Sequence, residues 1–199
     1  TMTLGNNKIT LLFGTSSTAS IQGVLSSTND ITCNNDMAIG PNGYISGMGR
    51  FFVNAGATLR IGSVNGIVTG NAASGNIQTT GARNYNPGAN FVYNGVSPQN
   101  TGDGYPTALT GSLTVNNSAG VTLVAAARTI TTGSLNLVQG AFTINSGGVN
   151  RLSLGSSTTA ATSTIKVTQG TITGVLQGTN LYNVEYIGDR KSTRLNSSH

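Results

Sequence analysis

Four carboxylates are spread along the chain at Asp30, Asp36, Asp103 and Glu185, and a fifth, Asp189, lies near its end. Glycoside hydrolysis needs two carboxyl groups roughly 5 to 9.5 Å apart, one to give a proton and one to attack or to activate water. Here the acids stand far apart in sequence, and no Asp-Asp pair or Gly-His-Gly element accompanies them. The only histidine is His199, the last residue, so imidazole chemistry has no candidate in the body of the chain. Lys8 and Lys166 could serve as lyase bases, but each stands alone in its neighbourhood. The expectation is a protein without catalytic residues, not an enzyme.

Two clusters of oxygen donors, Asn29-Asp30 and Asn34-Asn35-Asp36, have the hard character that calcium prefers. They match neither the EF-hand loop nor the glycine-rich calcium nonapeptide, and Asn and Asp at turns commonly bond their own backbone. No metal and no cofactor are expected. The single Cys33 cannot form an internal disulfide and reads as a small packed hydrophobe.

Binding offers more candidates. Tyr85, Phe91, Tyr93 and Tyr105 bring four of the eleven aromatics into one short stretch. Together they could form a carbohydrate-stacking surface, although aromatics are also ordinary strand residues that pack against neighbours. Thr129-Ile130-Thr131 and Thr171-Ile172-Thr173, about two coils apart, raise the further possibility of an ice-binding threonine ladder. The coil between them, near Asn150-Arg151-Leu152, lacks the motif.

Whatever positions these residues must be built from strands. Gly, Thr, Ser and Asn make up 100 of 199 residues, charged residues are 8% and tryptophan is absent. Disorder would require low hydrophobicity with high net charge, whereas 37% of this chain is apolar and Val, Ile and Leu recur in short alternating runs. The runs repeat. Gly111-Ser112-Leu113-Thr114-Val115 returns one repeat later as Gly133-Ser134-Leu135-Asn136-Leu137. Val121-Thr122-Leu123 returns as Phe142-Thr143-Ile144 and then as Ile165-Lys166-Val167, and Ile130 returns at the same interval as Leu152.

One such unit cannot bury its apolar face, but stacked units can, with Leu113 over Leu135 and neighbouring coils about 4.8 Å apart. The expected fold is all-β: a right-handed parallel β-helix (β-solenoid) of about 22 residues per coil, roughly eight coils long, with an antiparallel β-sandwich as the alternative. Glycine or asparagine should take the positive-φ corners, as at Asn42-Gly43, Asn94-Gly95, Asn116-Asn117 and Ser146-Gly147-Gly148. Residues 70–106, with Asn86-Pro87-Gly88, Ser97-Pro98 and Tyr105-Pro106, should hold longer loops that break the spacing.

The net charge of +5 does not argue for nucleic acid. Without residues 189–199, seven scattered cations face four acids. Apolar runs such as Leu11-Leu12-Phe13 fall far short of the ~20 residues that span a bilayer, so no membrane insertion of this segment is expected, and no signal peptide is read at the start.

GATLRIGS (residues 56–63), GNIQTTGARNYNPGANFVYNG (residues 75–95) and SPQNTGDGYPTALTGSLTVNNSAGVTL (residues 97–123) resemble a recurrent segment of very large secreted repeat proteins of Bacteroidetes-type bacteria. The resemblance covers roughly residues 54–145. It implies an autotransporter-like or adhesin-like β-helix, exported and displayed at the cell surface, commonly by a type IX route that uses a C-terminal sorting domain. DRKSTRLNSSH (residues 189–199) resembles the in-frame translation of a sequencing adapter. The expectation is therefore a single solenoid domain over residues 1–188, a fragment truncated at both ends, followed by an artefactual disordered tail. Its expected role is that of a non-catalytic, secreted or cell-surface, adhesin-like segment. Its partners would be the rest of its own longer chain and surface glycans or other cells, with no nucleic acid. A carbohydrate-binding or carbohydrate-cleaving β-helix and an ice-binding solenoid are the alternatives.

Overall fold

A computed structural model describes residues 2–4, 18–70, 73–124, 126–144 and 151–188 of the chain. Strand β1 (Met2–Leu4) precedes a series of coils of three short strands each. The first is β2 (Thr18–Ile21), β3 (Val24–Ser27) and β4 (Ile31–Cys33); the second is β5 (Asp36–Ile39), β6 (Tyr44–Gly47) and β7 (Phe51–Val53). The third is β8 (Thr58–Ile61), β9 (Ile77–Thr79) and β10 (Arg83–Tyr85); the fourth is β11 (Asn90–Tyr93), β12 (Gln99–Asn100) and β13 (Ala108–Leu109). Then come β14 (Leu113–Asn116), β15 (Val121–Thr122) and β16 (Arg128–Ile130), followed by β17 (Ser134–Gln139), β18 (Ala141–Thr143) and β19 (Leu152–Leu154). The last turns are β20 (Ser163–Val167), β21 (Thr171–Thr173) and β22 (Tyr182–Tyr186).

The first strand of every coil joins one eight-stranded spine, in the order β2-β5-β8-β11-β14-β17-β20-β22. Every pairing between neighbouring strands of the spine is parallel. This is a parallel β-solenoid, and the antiparallel sandwich is not adopted. Leu113 lies opposite Leu135, as the repeat requires.

Period-two alternation drives the stacking. In β14 and β17, Leu113, Val115, Leu135 and Leu137 turn inward and are almost wholly buried, while Thr114 and Asn136 face outward and the Asn136 amide donates to the Thr114 hydroxyl at 3.0 Å. Inward columns run the length of the spine, for example Met37, Leu59, Phe91, Leu113, Leu135 and Ile165.

Coil length is less regular than the repeat predicts. Met37 to Leu59, Phe91 to Leu113 and Leu113 to Leu135 each span the same interval, but Leu59 to Phe91 and Leu135 to Ile165 are both much longer. Ile165-Lys166-Val167 therefore does not stack on Phe142-Thr143-Ile144. It continues the spine over Leu135 and Leu137, and Thr171–Thr173 is the strand that covers Ala141–Thr143. Likewise Ile130 pairs with Leu154, and Leu152 lies opposite Arg128. Extra residues in a corner change the count without changing which face is buried, and burial fixes the register. One such corner is visible at residues 155–162, where the Ser157 hydroxyl accepts from the Thr159 and Ala160 amides and the Thr162 hydroxyl accepts from the Ser156 amide.

The other two faces split midway. Before the split they are β1-β3-β6-β9 and β4-β7-β10; after it they are β12-β15-β18-β21 and β13-β16-β19. The splitting element is an excursion over residues 62–76. It docks on the next coil through Asn100 N to Val64 O (2.8 Å), Ile67 N to Thr101 O (3.0 Å) and Gly104 N to Ile67 O (2.8 Å), and it buries Ile67 completely. The expected disruption thus falls at its strongest before residue 77. The proline-bearing corners at residues 86–88 and 97–98 adjoin β11, whose step to β14 has the ordinary length.

Corner chemistry matches the expectation in residue type but not in place, and Ser146-Gly147-Gly148 lies outside the described residues. Among the described residues every positive φ belongs to glycine, and Gly43 and Gly95 are not among them. Gly102, at φ 71, is required twice over, since a Cβ there would collide with the Ile67 carbonyl. Asparagines contribute instead through their side chains: the Asn117 amide donates to Ser97 O at 2.7 Å and its carbonyl accepts from Ala119 N at 2.9 Å.

Candidate functional site

The four aromatic residues singled out above converge, but inside the solenoid. Tyr85 stacks edge-on between Phe51 and Phe91, with ring centroids 6.1 and 6.2 Å away, and Phe91 meets Tyr105 at 6.2 Å. Phe91 and Tyr93 are 0% exposed and Tyr105 is 3% exposed, so these three rings offer no face to a sugar. Parallel register explains the convergence: Arg83–Tyr85 pairs with Phe51–Val53, and Phe91 lies in the spine column beside it. Tyr93 donates its hydroxyl to Thr101 O at 2.7 Å. Burial pushes the phenol pKa of Tyr85, Tyr93 and Tyr105 above its usual value.

Around this ladder the excursion gathers a set of buried polar side chains that no motif signals. Asn76 donates to the carbonyls of Gly40 (3.0 Å) and Gly43 (2.7 Å) and accepts from Ser63 N (2.9 Å). Gln99 donates to the carbonyls of Ile61 and Ser63, both at 2.9 Å, and accepts from Gly95 N (2.7 Å) and the Asn117 amide (3.0 Å). Arg128, 5% exposed, lies over the Tyr105 ring at 4.9 Å and donates to the Asp103 carbonyl at 2.8 Å. The Asp103 carboxylate accepts from the Thr69 amide and hydroxyl, each at 2.8 Å, and the amide bond chiefly holds its pKa below the usual carboxylate value.

A cavity of about 220 Å³ opens here, between the excursion and the third-coil corner, with Thr69, Gly70, Ala82, Arg83, Tyr85 and Gly104 among its walls. Arg83 is the charged group in those walls, and desolvation lowers its pKa. Its donors go to Val68 O (2.7 Å) and Thr79 O (2.8 and 3.2 Å). The guanidinium thus fastens the excursion to β9, and among the described residues the cavity walls hold no acid with which it could share a proton transfer.

The remaining candidates separate. Asp30 accepts both Nε and Nη2 of Arg50, at 2.6 to 3.1 Å, and Asp36 accepts Arg60 in the same bidentate way, at 2.6 to 3.0 Å. The carboxylates of the two oxygen-donor clusters thus face guanidinium groups, and no group of three or more His, Cys, Asp or Glu residues that could hold a metal occurs among the described residues. Glu185 lies 3.9 Å from Lys166. Each of these acids therefore has its own partner: Arg50 for Asp30, Arg60 for Asp36, Thr69 for Asp103 and Lys166 for Glu185.

Cys33 is 2% exposed, and burial, with the Asp36 charge adding to it, pushes its thiol up to about 11. That is the protonated, unreactive form at neutral pH. The two Thr-Ile-Thr segments lie on different faces, Thr129 beside Ser153 and Thr171–Thr173 beside Ala141–Thr143, so they do not join into one ladder. His199 and Lys8 lie outside the described residues.

No helix among the described residues is long and apolar enough to cross a membrane. Comparison of the chain with protein-family models, with curated proteins and with solved structures gave no match.

Proposed function

We propose that this chain is a non-catalytic structural segment of an extracellular, adhesin-like bacterial surface protein, a spacer that holds other parts of a longer chain away from the cell. The observation that carries the proposal is the uninterrupted interior column, from Met37 through Leu59, Phe91, Leu113 and Leu135 to Ile165, with each described acid outside it tied to a partner of its own. A stacked column advances roughly 4.8 Å per coil at little cost in sequence information, which suits a spacer. The exterior supports the same reading. Along the outer rows of the spine the side chains are mostly hydroxyls and amides, such as Asn90, whose carbonyl accepts from the Ser112 amide and hydroxyl at 3.1 and 2.8 Å. Such a surface stays hydrated without attracting polyelectrolytes.

The test combines a glycan array with reducing-sugar release from a panel of polysaccharides, using the purified full chain, and antibody labelling of intact producing cells. Surface labelling without turnover is expected. Robust turnover would overturn the non-catalytic role, and labelling confined to permeabilised cells would overturn the surface role.

A further inference from the structure

Two inward positions of the third coil carry polar groups where the turns before them carry carbon or sulfur. In the sheet β4-β7-β10 one column runs Ile31, Phe51, Arg83 and the next runs Cys33, Val53, Tyr85. Ile31, Phe51, Cys33 and Val53 are all buried. β10 is the last strand of that sheet, since the third strand of the following coil, β13, pairs with β16 instead. The cavity of about 220 Å³ lies against this end, with Arg83 and Tyr85 in its walls.

Both groups have bonding capacity to spare. Of the five N–H donors of a guanidinium, Arg83 spends three on Thr79 O and Val68 O, which leaves two, and no carboxylate pairs with it among the described residues. The Tyr85 hydroxyl is shut off from solvent and meets no partner. Thr69 and Thr80, also in the walls, donate their hydroxyl hydrogens to Asp103 and to Gly47 O, so their oxygens are left to accept. An unneutralised guanidinium calls for an oxyanion, and a carboxylate suits its charge-assisted donors. The hydroxyls call for more than a bare ion. So does the volume, about seven times the ~30 Å³ share of a water molecule and below the ~300 Å³ at which drug-sized sites begin.

We propose that this cavity binds one acidic sugar residue, a hexuronate, with Arg83 donating to its carboxylate and Tyr85, Thr69 and Thr80 meeting its ring hydroxyls. The site goes beyond the spacer role and does not depend on it, since a spacer that takes no sugar is still a spacer.

Titration of the full chain with galacturonate and glucuronate, followed by the NMR signal of the Arg83 side-chain Nε–H, tests it, with galactose, glucose and acetate as comparisons. Saturable one-to-one binding of a uronate is expected, about tenfold or more tighter than its neutral parent or acetate. Arg83→Gln should abolish it. Because that change also loosens the excursion, Ala82→Phe fills the cavity from an exposed wall position and leaves Arg83 in place. It should abolish binding with thermal unfolding unchanged. Tyr85→Phe, which keeps the ring stack, should weaken the uronate several-fold and leave acetate unaffected. No saturable response to either uronate would overturn the proposal. So would a uronate bound no more tightly than acetate or the neutral sugar, binding that survives Ala82→Phe, or a Tyr85→Phe protein that binds as the parent does.

Discussion

Between β14 and β17 the chain completes a coil at the repeat length and sets leucine over leucine; between β8 and β11 it takes a much longer path and fills the extra turn with amides. The regular region fills its interior columns with apolar side chains, Leu113, Leu135, Val121 and Phe142 being at 0 or 1% exposure, and its buried polar groups Asn117 and Arg128 reach back to the junction at Ser97, Gln99 and Asp103. The junction instead buries Ser63, Asn76, Thr79, Gln99 and Thr101, and two of its three sheets change partners. Stacked coils of equal length satisfy one another's backbone groups by register alone. Where one coil is longer, the ladder breaks, and the exposed carbonyls and amides must be met by side chains whose reach and direction are specific. Repetition thus makes the regular region tolerant of change, and irregularity makes the junction exacting.

The largest expected effect lies in the regular region. Phe142 is wholly buried, with Val121 and Ile172 as its neighbours in adjoining coils. Phe142→Ala should cost about 3–5 kcal/mol by leaving a cavity. Because repeat stability is a sum of local terms, loss of hydrogen-exchange protection should centre on β15, β18 and β21, with a fall in the urea midpoint. Uniform loss along the whole chain would erase the distinction between regions.

The next effect separates shape from hydrogen bonding. Gln99→Leu keeps nearly the same volume but strands the Gly95 amide and takes one of two donors from each of the Ile61 and Ser63 carbonyls, which keep the Asn94 and Gly66 amides, and should cost about 2–3 kcal/mol. Leu135→Met, the equivalent conservative exchange in a dry column, should cost less than about 1.5 kcal/mol. Equal costs in urea denaturation would mean that the junction amides contribute no more than their packing.

How much of this is legible in the sequence follows from the same contrast. The Gly-Ser-Leu repeat at residues 111 and 133 reveals the solenoid and the Leu113–Leu135 contact, because there coil length and hydrophobic period agree. Counting onward to Ile165 fails, since corner residues are invisible to a count and Ile165-Lys166-Val167 and Thr171-Ile172-Thr173 have equally good strand patterns. The aromatic residues Tyr85, Phe91, Tyr93 and Tyr105 are detectable as a cluster, but which way the rings face depends on the pairing of β10 with β7, a contact between strands of successive coils. Gln99 carries no signal at all: in sequence it stands between a Ser-Pro turn and an asparagine, and its role exists only because the excursion brings the Ile61 and Ser63 carbonyls beside it.

Alkaline titration sharpens the comparison from the first half of the chain. Cys33 rises from 9.0 to about 11 in the folded state, so folded protein holds its proton more tightly than unfolded protein. Its contribution is fully present below about pH 9 and is lost as pH rises toward about 11, a difference on the order of 2–3 kcal/mol. The buried tyrosines of the junction act in the same direction at higher pH. Cys33→Ser should flatten the stability curve between about pH 9 and 11 and leave the steeper fall above it. A curve unchanged by this substitution would show that the thiol titrates in the folded state as it does in water.

The smallest effect belongs to the outer surface of the spine. Asp36 and Arg60 form a bidentate pair with side chains 25% and 36% exposed, and pairs so open to solvent are screened and worth little. Asp36→Asn should therefore cost under about 1 kcal/mol at neutral pH, and less again in high salt. Yet the same carboxylate is the second cause of the raised Cys33 value, so removing its charge should move the thiol titration downward while burial keeps it above 9.0. Thiol absorbance against pH in the single variant reads this directly. A shift without a matching stability change would separate the two roles of Asp36, acting on the interior through its field and on Arg60 through contact. A large loss of stability instead would mean that the exterior row of the spine bears load as the interior column does.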